Sequence, residues 1–418
     1  MSLSTLTLVA SPTISTGRDA SGKWQLYRNG NQVQVHGVGG EQHLELTAAL
    51  GANTIRTWGI PSLEKLDKGK PLVDRAQDLG ISIVAGIWLK HERHGFNYGD
   101  PAFLQAQRDE VRAAIRRYRD HPAILVWGLG NEMEHTVGPG DPLRIWREIE
   151  ILARIIKEED PHRPIVTILA GAAVEKIRAV RENCPGIDII GINSYGPAVL
   201  VTHALDEAGW TGPFMLTEFG PRGQWEILQA PWGAPIEPRM GEKIASYVGA
   251  HRAALADPQQ RCLGTFCFTW GQKQEATATW FGMFLATGEK TPLVDAMSYE
   301  FTGRWPANRS PQLRTFKVPF ALERVPAGAE FTVTAEARDP DGDPVSYEWI
   351  VVAESTDRKS GGDAEKIPRS FPECTVSADG GSAVIRTPAQ PGAYRLFIYV
   401  RDAHGGGTTE NIPFWVQP

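Results

Sequence analysis

The chain has 418 residues, 42% hydrophobic and 22% charged, with 43 Lys plus Arg against 49 Asp plus Glu for a net charge of −6. No apolar run approaches the roughly 20 residues of a membrane helix, the composition is that of a folded globular protein, and no basic block is present to follow a phosphate backbone. Disorder, a membrane span and a nucleic-acid partner are therefore set aside, and at roughly 150 residues per domain the length fits one large domain and one small one. Thirteen tryptophans exceed the needs of core packing, and an indole face stacks well on the C–H face of a pyranose, so composition leans toward carbohydrate. The four cysteines, Cys184, Cys262, Cys267 and Cys374, lack metal-ligand spacing, which argues against a disulfide or zinc framework.

In chain order, Met1–Ala10 lacks the basic and long apolar regions of a secretory signal. A cytoplasmic protein and a secreted or periplasmic one whose signal was removed both remain open. Next, Trp24–Arg28 and Gln32–Gln34 flank Asn29-Gly30-Asn31, a hairpin signal, read as a lid on the floor of the large domain. From Lys23 to about Phe301 one theme recurs: an apolar or β-branched run, a polar loop, then a segment of helical period. The runs are Gln34–Val38, Asn53–Thr57, Ile81–Trp88, Ile124–Leu129, Ile165–Leu169, Ile187–Asn193, Phe214–Glu218 and Leu263–Trp270. They look buried on both faces, which is parallel-sheet patterning. Asp100-Pro101 and Asp141-Pro142 are helix openings, while Gly51 and Gly80 suit helix stops. Phe103, Leu104, Val111, Ala114, Ile115 and Tyr118 trace one apolar helix face, and Ile145, Trp146, Ile149, Leu152, Ile155 and Ile156 another.

Eight such units predict a (β/α)8 TIM barrel rather than a doubly wound sheet, and no glycine-rich dinucleotide fingerprint follows the first strand. Around Gly303–Pro319 the pattern becomes a linker. Beyond it, alternating strands at Phe331–Ala337, Val345–Val352, Ala383–Arg386, Tyr394–Arg401 and Thr408–Trp415 predict a small all-β antiparallel sandwich. The expected division is 20–308 for the barrel with its hairpin and 318–418 for the sandwich. Asp339-Pro340-Asp341-Gly342-Asp343-Pro344, with Tyr347-Glu348-Trp349 after it, resembles the polycystic-kidney-disease-type and cadherin-like immunoglobulin sandwiches that accompany secreted carbohydrate enzymes. Asp339, Asp341 and Asp343 carry oxygens of the kind calcium favours, although the same string is a common turn.

A barrel's reactive groups project from the C-terminal ends of its strands. Strand four ends in Asn131-Glu132 and strand seven in Glu218-Phe219-Gly220, which places two glutamates across one rim. One carboxyl kept protonated by poor solvation and one ionised can cleave an acetal, with a retaining outcome if they lie about 5–5.5 Å apart. The bland alternative is a pair of buried, salt-bridged structural glutamates.

At these residues the sequence resembles the retaining TIM-barrel β-glycosidases of clan A. His121-Pro122-Ala123-Ile124-Leu125-Val126-Trp127 before Asn131-Glu132, and Thr217-Glu218-Phe219-Gly220, are similar to the strand-four and strand-seven motifs of the family-two glycoside hydrolases. The resemblance implies Glu132 as general acid/base, Glu218 as nucleophile, and Asn131 as the donor to the sugar 2-hydroxyl in the −1 subsite. It further implies that Arg56 and Tyr195 contact the nucleophile and that Trp270 floors the −1 sugar. Trp58 and Trp88 would wall neighbouring subsites, with core packing as the competing explanation. Strand one departs from the family, showing His36-Gly37-Val38-Gly39-Gly40-Glu41-Gln42-His43 in place of an Asn-Arg-His-Glu run. Galactosidase, glucuronidase and mannosidase specificities therefore do not transfer.

After strand three, His91 and His94 are placed to hydrogen-bond sugar hydroxyls or, with Lys90 and Arg93, to hold a uronate; a metal pair lacks a third ligand. Trp225 and Trp232 in the loop Phe219–Pro238, and Trp280 after strand eight, are expected to shape leaving-group or acceptor subsites or else to pack as a lid. The expectation is thus a retaining hydrolase of β-linked oligo- or polysaccharide, glucan-type by preference, needing no cofactor and no metal. A β-glycan transglycosylase using the same residues and a non-catalytic glycan-binding protein are its rivals.

Overall fold

Runs whose side chains are apolar on both faces cannot leave either face to water, so they pair with one another and are covered by the helices between them. In the computed structural model, which describes residues 12–134 and 141–418, these runs are Val35–Gly39 (β1), Thr54–Arg56 (β2), Ser82–Ile87 (β3), Ile124–Leu129 (β4), Ile165–Ala170 (β5), Ile189–Asn193 (β6), Phe214–Phe219 (β7) and Cys262–Phe268 (β8). They hydrogen-bond in chain order and β8 returns to β1, closing the barrel. Every residue of β3, β4, β7 and β8 is buried. The stretch Met1–Ala10, read above for a signal, lies outside the described residues.

The hairpin forms at Trp24–Arg28 and Asn31–Val33, with Asn29 at φ 51° and Gly30 at φ 79°, the left-handed pair that a two-residue turn requires. A third strand, Ile14–Arg18, joins it. Ile14 and Leu26 share a core cluster with Leu125, Val166, Ile189, Met215 and Leu263, so the sheet does plug the barrel floor. Asp100 caps the helix Pro101–Tyr118 by accepting from the Ala102 amide. At Asp141 the expectation is corrected: its side chain accepts from the Leu143 amide, but that turn only precedes the helix, which begins at Arg144. Gly51 and Gly80 take left-handed backbone at helix ends, as expected. Arg108 clasps Glu148, and Arg112 and Arg116 clasp Glu159, tying Pro101–Tyr118 to the next helix, Arg144–Glu159.

The chain divides into two compact units, one formed by the described residues up to Glu218 with Ala253–Phe266, the other by Phe219–Arg252 with Cys267–Pro418. The second unit contains nine strands: Gln312–Lys317 (β9), Arg324–Pro326 (β10), Glu330–Arg338 (β11), Ser346–Ala353 (β12), Ser370–Phe371 (β13), Thr375–Asp379 (β14), Ser382–Arg386 (β15), Gly392–Arg401 (β16) and Gly407–Gln417 (β17). They form a four-stranded sheet, β9-β11-β15-β14, and a five-stranded sheet, β10-β17-β16-β12-β13. Val333 and Ile385 of the first sheet share a core with Trp349, Leu396, Ile398 and Phe414 of the second, the signature of a sandwich.

Two expectations need correction here. The supposed linker Gly303–Pro319 contains β9, whose Leu313 and Phe316 pack on that core, and β10 pairs parallel to β17 in an otherwise antiparallel sandwich. Asp339 accepts from the amides of Asp341 and Asp343, and Asp341 from the Arg309 amide, so the Asp-rich string is a side-chain-stabilised turn.

Candidate active site

The strand ends of the first unit converge on one hydrogen-bond network. Arg56, the last residue of β2, is buried; one guanidinium nitrogen donates to Glu218 Oε1 at 2.8 Å and to the Thr217 carbonyl at 3.1 Å, and the other donates to Asn131 Oδ1 at 2.6 Å. The rigid fork of guanidinium suits a bridge between the ends of β4 and β7. Trp58 Nε1 adds a second donor to Glu218 Oε1 at 2.9 Å, and the Arg56 guanidinium lies over the Trp58 ring at 5.0 Å. Tyr195 donates its hydroxyl to Glu218 Oε2 at 2.8 Å. Both oxygens of Glu218 are thus held by donors, the arrangement that an acceptor-only carboxylate satisfies.

Glu132 is held differently. Asn193, at the end of β6, donates to Glu132 Oε1 at 2.8 Å and to Asn131 Oδ1 at 3.1 Å, while its own Oδ1 accepts from Thr217 Oγ1 at 2.9 Å. A bulge makes this contact: the pairing of Ile192 with Leu216 is followed by that of Asn193 with Glu218, so the extra residue Thr217 turns Glu218 to the level of Asn193. Glu132 keeps a partial opening to solvent. Withdrawal from water, then the nearby charge of Glu218, push its carboxyl up to about 7, against the opposing hydrogen bond from Asn193.

The backbone that presents Glu132 is left-handed at Gly130, φ 72°, and again at Glu132 itself, φ 54°. A side-chain-bearing residue in that region costs on the order of 1 kcal/mol. The Glu132 amide donates to the Ile168 carbonyl at 2.9 Å, and two residues on Glu134 accepts from the Ala170 amide and pairs with Lys176, so β5 holds the turn in place.

Asn131, Glu132, Glu218, Arg56, Tyr195 and Trp58 are therefore brought together. Trp88, His91 and His94 group with one another beyond β3. Trp88 is 39% exposed, the buried His91 ring lies 5.0 Å from it, and His94 meets His91 edge-on at 5.9 Å. Arg93 donates to His91 Nδ1, while Lys90 pairs with Glu110. Trp270 belongs to the second unit, two residues past β8, buried and edge-on to Phe284. In that unit Trp232 packs against Trp415 and Trp280 is buried with its indole donating to the Arg222 carbonyl, so both act in packing; Trp225 stays 60% exposed. Sequence reasoning missed Asn193, Thr217 and Glu134. Asn193 and Thr217 carried the same signal as Asn131, a polar residue closing an apolar barrel run.

Residues 28–218, a stretch holding all of the network, match the family described as "Glycosyl hydrolases family 2, TIM barrel domain". That match covers a little under half of the chain. Similar solved structures include a Bacteroides uniformis beta-glucuronidase, at 15% identity with a TM-score of 0.53, over 97% of this chain and 48% of that one. The beta-glucuronidase 2 of the same organism, covalently bound to cyclophellitol-6-carboxylate aziridine, gives the same figures. A GH2 beta-galacturonidase from Eisenbergiella tayi bound to galacturonate is similar at 19% identity and a TM-score of 0.50, over 70% of this chain and 55% of that one. The chain thus spans about half the length of these structures, and the likeness to them is one of fold.

Proposed function

We propose that this barrel is a family 2 retaining β-glycosidase of β-linked oligo- or polysaccharide, with Glu218 as nucleophile and Glu132 as acid/base. The observation that carries the reading is the contrast between the two carboxylates. Glu218 is held by three side-chain donors and serves as their acceptor, whereas Glu132 is pushed up to about 7 and can hold a proton near neutrality.

Glu218 attacks the anomeric carbon while Glu132 gives its proton to the departing glycosidic oxygen, leaving a glycosyl ester on Glu218. Glu132, now a carboxylate, takes a proton from water, whose oxygen attacks the anomeric carbon and releases Glu218. Asn131 accepts at Oδ1 from both Arg56 and Asn193, which leaves its Nδ2 as the donor for the sugar 2-hydroxyl. That bond strengthens as positive charge develops on the ring. Trp58 and Trp88 wall adjoining subsites, and the part of Trp270 as the −1 floor rests on the family resemblance alone. Lys90 is drawn to Glu110 and Arg93 to His91, which favours hydroxyl recognition by His91 and His94 over a uronate clamp, with a neutral glucan-type chain as the substrate to test first.

The test is a panel of aryl β-glycosides, including the β-glucuronide and β-galacturonide, together with β-glucans. A matching 2-fluoro glycoside should label Glu218, located by peptide mass. Absence of turnover and labelling across the panel would leave a glycan-binding protein in place of the enzyme, and products carrying an added acceptor sugar would make it a transglycosylase.

A further inference from the structure

Gly86, an interior residue of β3, is a glycine for reasons of space. Its φ lies outside the left-handed region, so the local backbone conformation does not call for glycine. A Cβ there, however, would collide with the Thr57 carbonyl and come within 2.6 and 2.7 Å of the carbonyl carbon and Cα of Trp58. Those are backbone atoms, which cannot swing aside as the end of a side chain can. A glycine inside a strand often marks the close approach of another backbone, and here that backbone is the segment leaving β2.

The pairing of the two strands shows how the approach is made. β2 and β3 run in register as far as Arg56 and Val84, and the Thr57 amide still donates to the Val84 carbonyl at 3.1 Å. At the next rung the Gly86 amide donates to the Thr57 hydroxyl at 3.2 Å. The fully buried Thr57 side chain thus stands in for a ladder carbonyl, and the chain beyond it lies over the Cα of Gly86. The far side of this crossing is packed as well, since a Cβ on Gly59 would meet the Trp88 Cβ at 3.5 Å. The residue delivered by the crossing is Trp58, whose indole Nε1 donates to Glu218 Oε1 at 2.9 Å. An indole has one N–H, fixed on a rigid ring, so a shift of its backbone moves the aim of that donor.

We propose that Gly86 and Thr57 are positioning residues for the nucleophile: the missing side chain and the buried hydroxyl together place the Trp58 backbone so that its indole N–H meets Glu218. This rests on the reading of Glu218 as nucleophile and deepens it, because part of the control over attack then resides in β3, half-way round the barrel from the β7 that carries the carboxylate.

The test makes Gly86→Ala and Thr57→Val in the full-length wild type and again in Trp58→Phe, which keeps a ring and removes the N–H. Two rates are read: kcat/KM on the aryl β-glycoside that the wild type cleaves best, and inactivation by the matching 2-fluoro glycoside. In the wild-type background Gly86→Ala should lower both about 30-fold and Thr57→Val about fivefold, as misplacement near a reacting group does. In the Trp58→Phe background each should change them by less than about twofold, because the bond through which they act is already gone. Gly128→Ala on β4 is the control. A Cβ there meets its neighbours, the Gly86 Cα among them, at 3.4 Å or more, and both rates should stay near those of the wild type. A second readout does not depend on turnover: the indole N–H resonance of Trp58, identified by its loss in Trp58→Phe, should shift in Gly86→Ala and Thr57→Val and hold its place in Gly128→Ala. If Gly86→Ala does not fold, Thr57→Val carries both readouts. Equal losses in the two backgrounds, or an unmoved Trp58 resonance, would overturn the proposal. A wild type inactive on the whole panel, with the resonance shifted as expected, would sink the glycosidase reading while supporting the placement of Trp58.

Discussion

Glu132, at the rim of the first unit, and Glu237, buried in the second, are both carboxyls drawn out of water, and they differ in who satisfies them. Glu237 collects an ammonium, two hydroxyls and an amide. Burial alone would push its carboxyl up, but the charge of Lys243 and the donors around it outweigh burial and hold it below the usual carboxylate range. Among the described residues Glu132 has one side-chain donor, Asn193, and faces the charge of Glu218, so burial prevails and its proton stays on near neutrality. A carboxylate saturated by the protein is a joint; one left short of donors beside a like charge can hold and release a proton.

The sharpest way to break this comparison is to remove the partner charge. Glu218→Ala should lower kcat by about 10⁴-fold or more, as expected when a covalent nucleophile is lost, and abolish fluoro-glycoside labelling. Turnover within tenfold of wild type would remove Glu218 from the chemistry. Next in size, Glu132→Gln should cost at least about 10²-fold on substrates with poor leaving groups and far less on activated ones. The sign in pH comes from the proton it carries. With Glu132 as the proposed acid, the wild type should work with that group protonated, so kcat/KM should fall as pH rises through about 7, and in the Gln variant that alkaline limb should vanish. A limb that survives the substitution belongs to another group.

How much of this was legible before the structure depends on the range of the interactions. The eight strands were readable because each is buried on both faces and bounded by turn residues, and Glu132 and Glu218 because a barrel puts chemistry at strand ends. Asn193 was not, because its part depends on a one-residue bulge at Thr217 that shifts β7 against β6, and register is a pairing property that neither strand encodes alone. The strand Gln312–Lys317 was hidden for a related reason. Its Leu313 and Phe316 are only partly buried, its neighbours are proline and arginine, and its partner β11 comes only after the intervening strand β10, a pairing that spacing does not reveal. Trp232 was open in sequence between a subsite wall and packing, and it packs on Trp415, since a tryptophan's two uses leave the same mark in sequence.

A finer probe of the rim is Asn193→Ala. It removes the hydrogen bond that favours ionised Glu132 and the brace between Asn131, Glu132 and Thr217. Activity should fall about 10- to 30-fold through misalignment. The alkaline limb should move upward, because the lost bond was lowering the Glu132 pKa. A fall in rate with an unmoved limb would make Asn193 a brace for the backbone only.

The smallest effect is thermodynamic and has the opposite sign from the kinetic one. Because folding raises the Glu132 pKa from 4.5 to about 7, the folded state holds a proton that the unfolded state has released between those values, and stability drains away as pH rises through that window. Glu132→Gln removes the titrating group, so the variant should be more stable than wild type above about pH 7, by about 1 kcal/mol after allowance for its partial contact with solvent and its coupling to Glu218. Below pH 4 the gain should disappear, because both states of the wild type are then protonated. Melting curves of the two proteins at pH 4 and pH 8 measure this directly, with a gain of about 2–4 °C expected only at the higher pH. Equal melting temperatures at both pH values would mean that Glu132 is no more costly to ionise at the rim than in water, and the distinction drawn between it and Glu237 would fail at its energetic root.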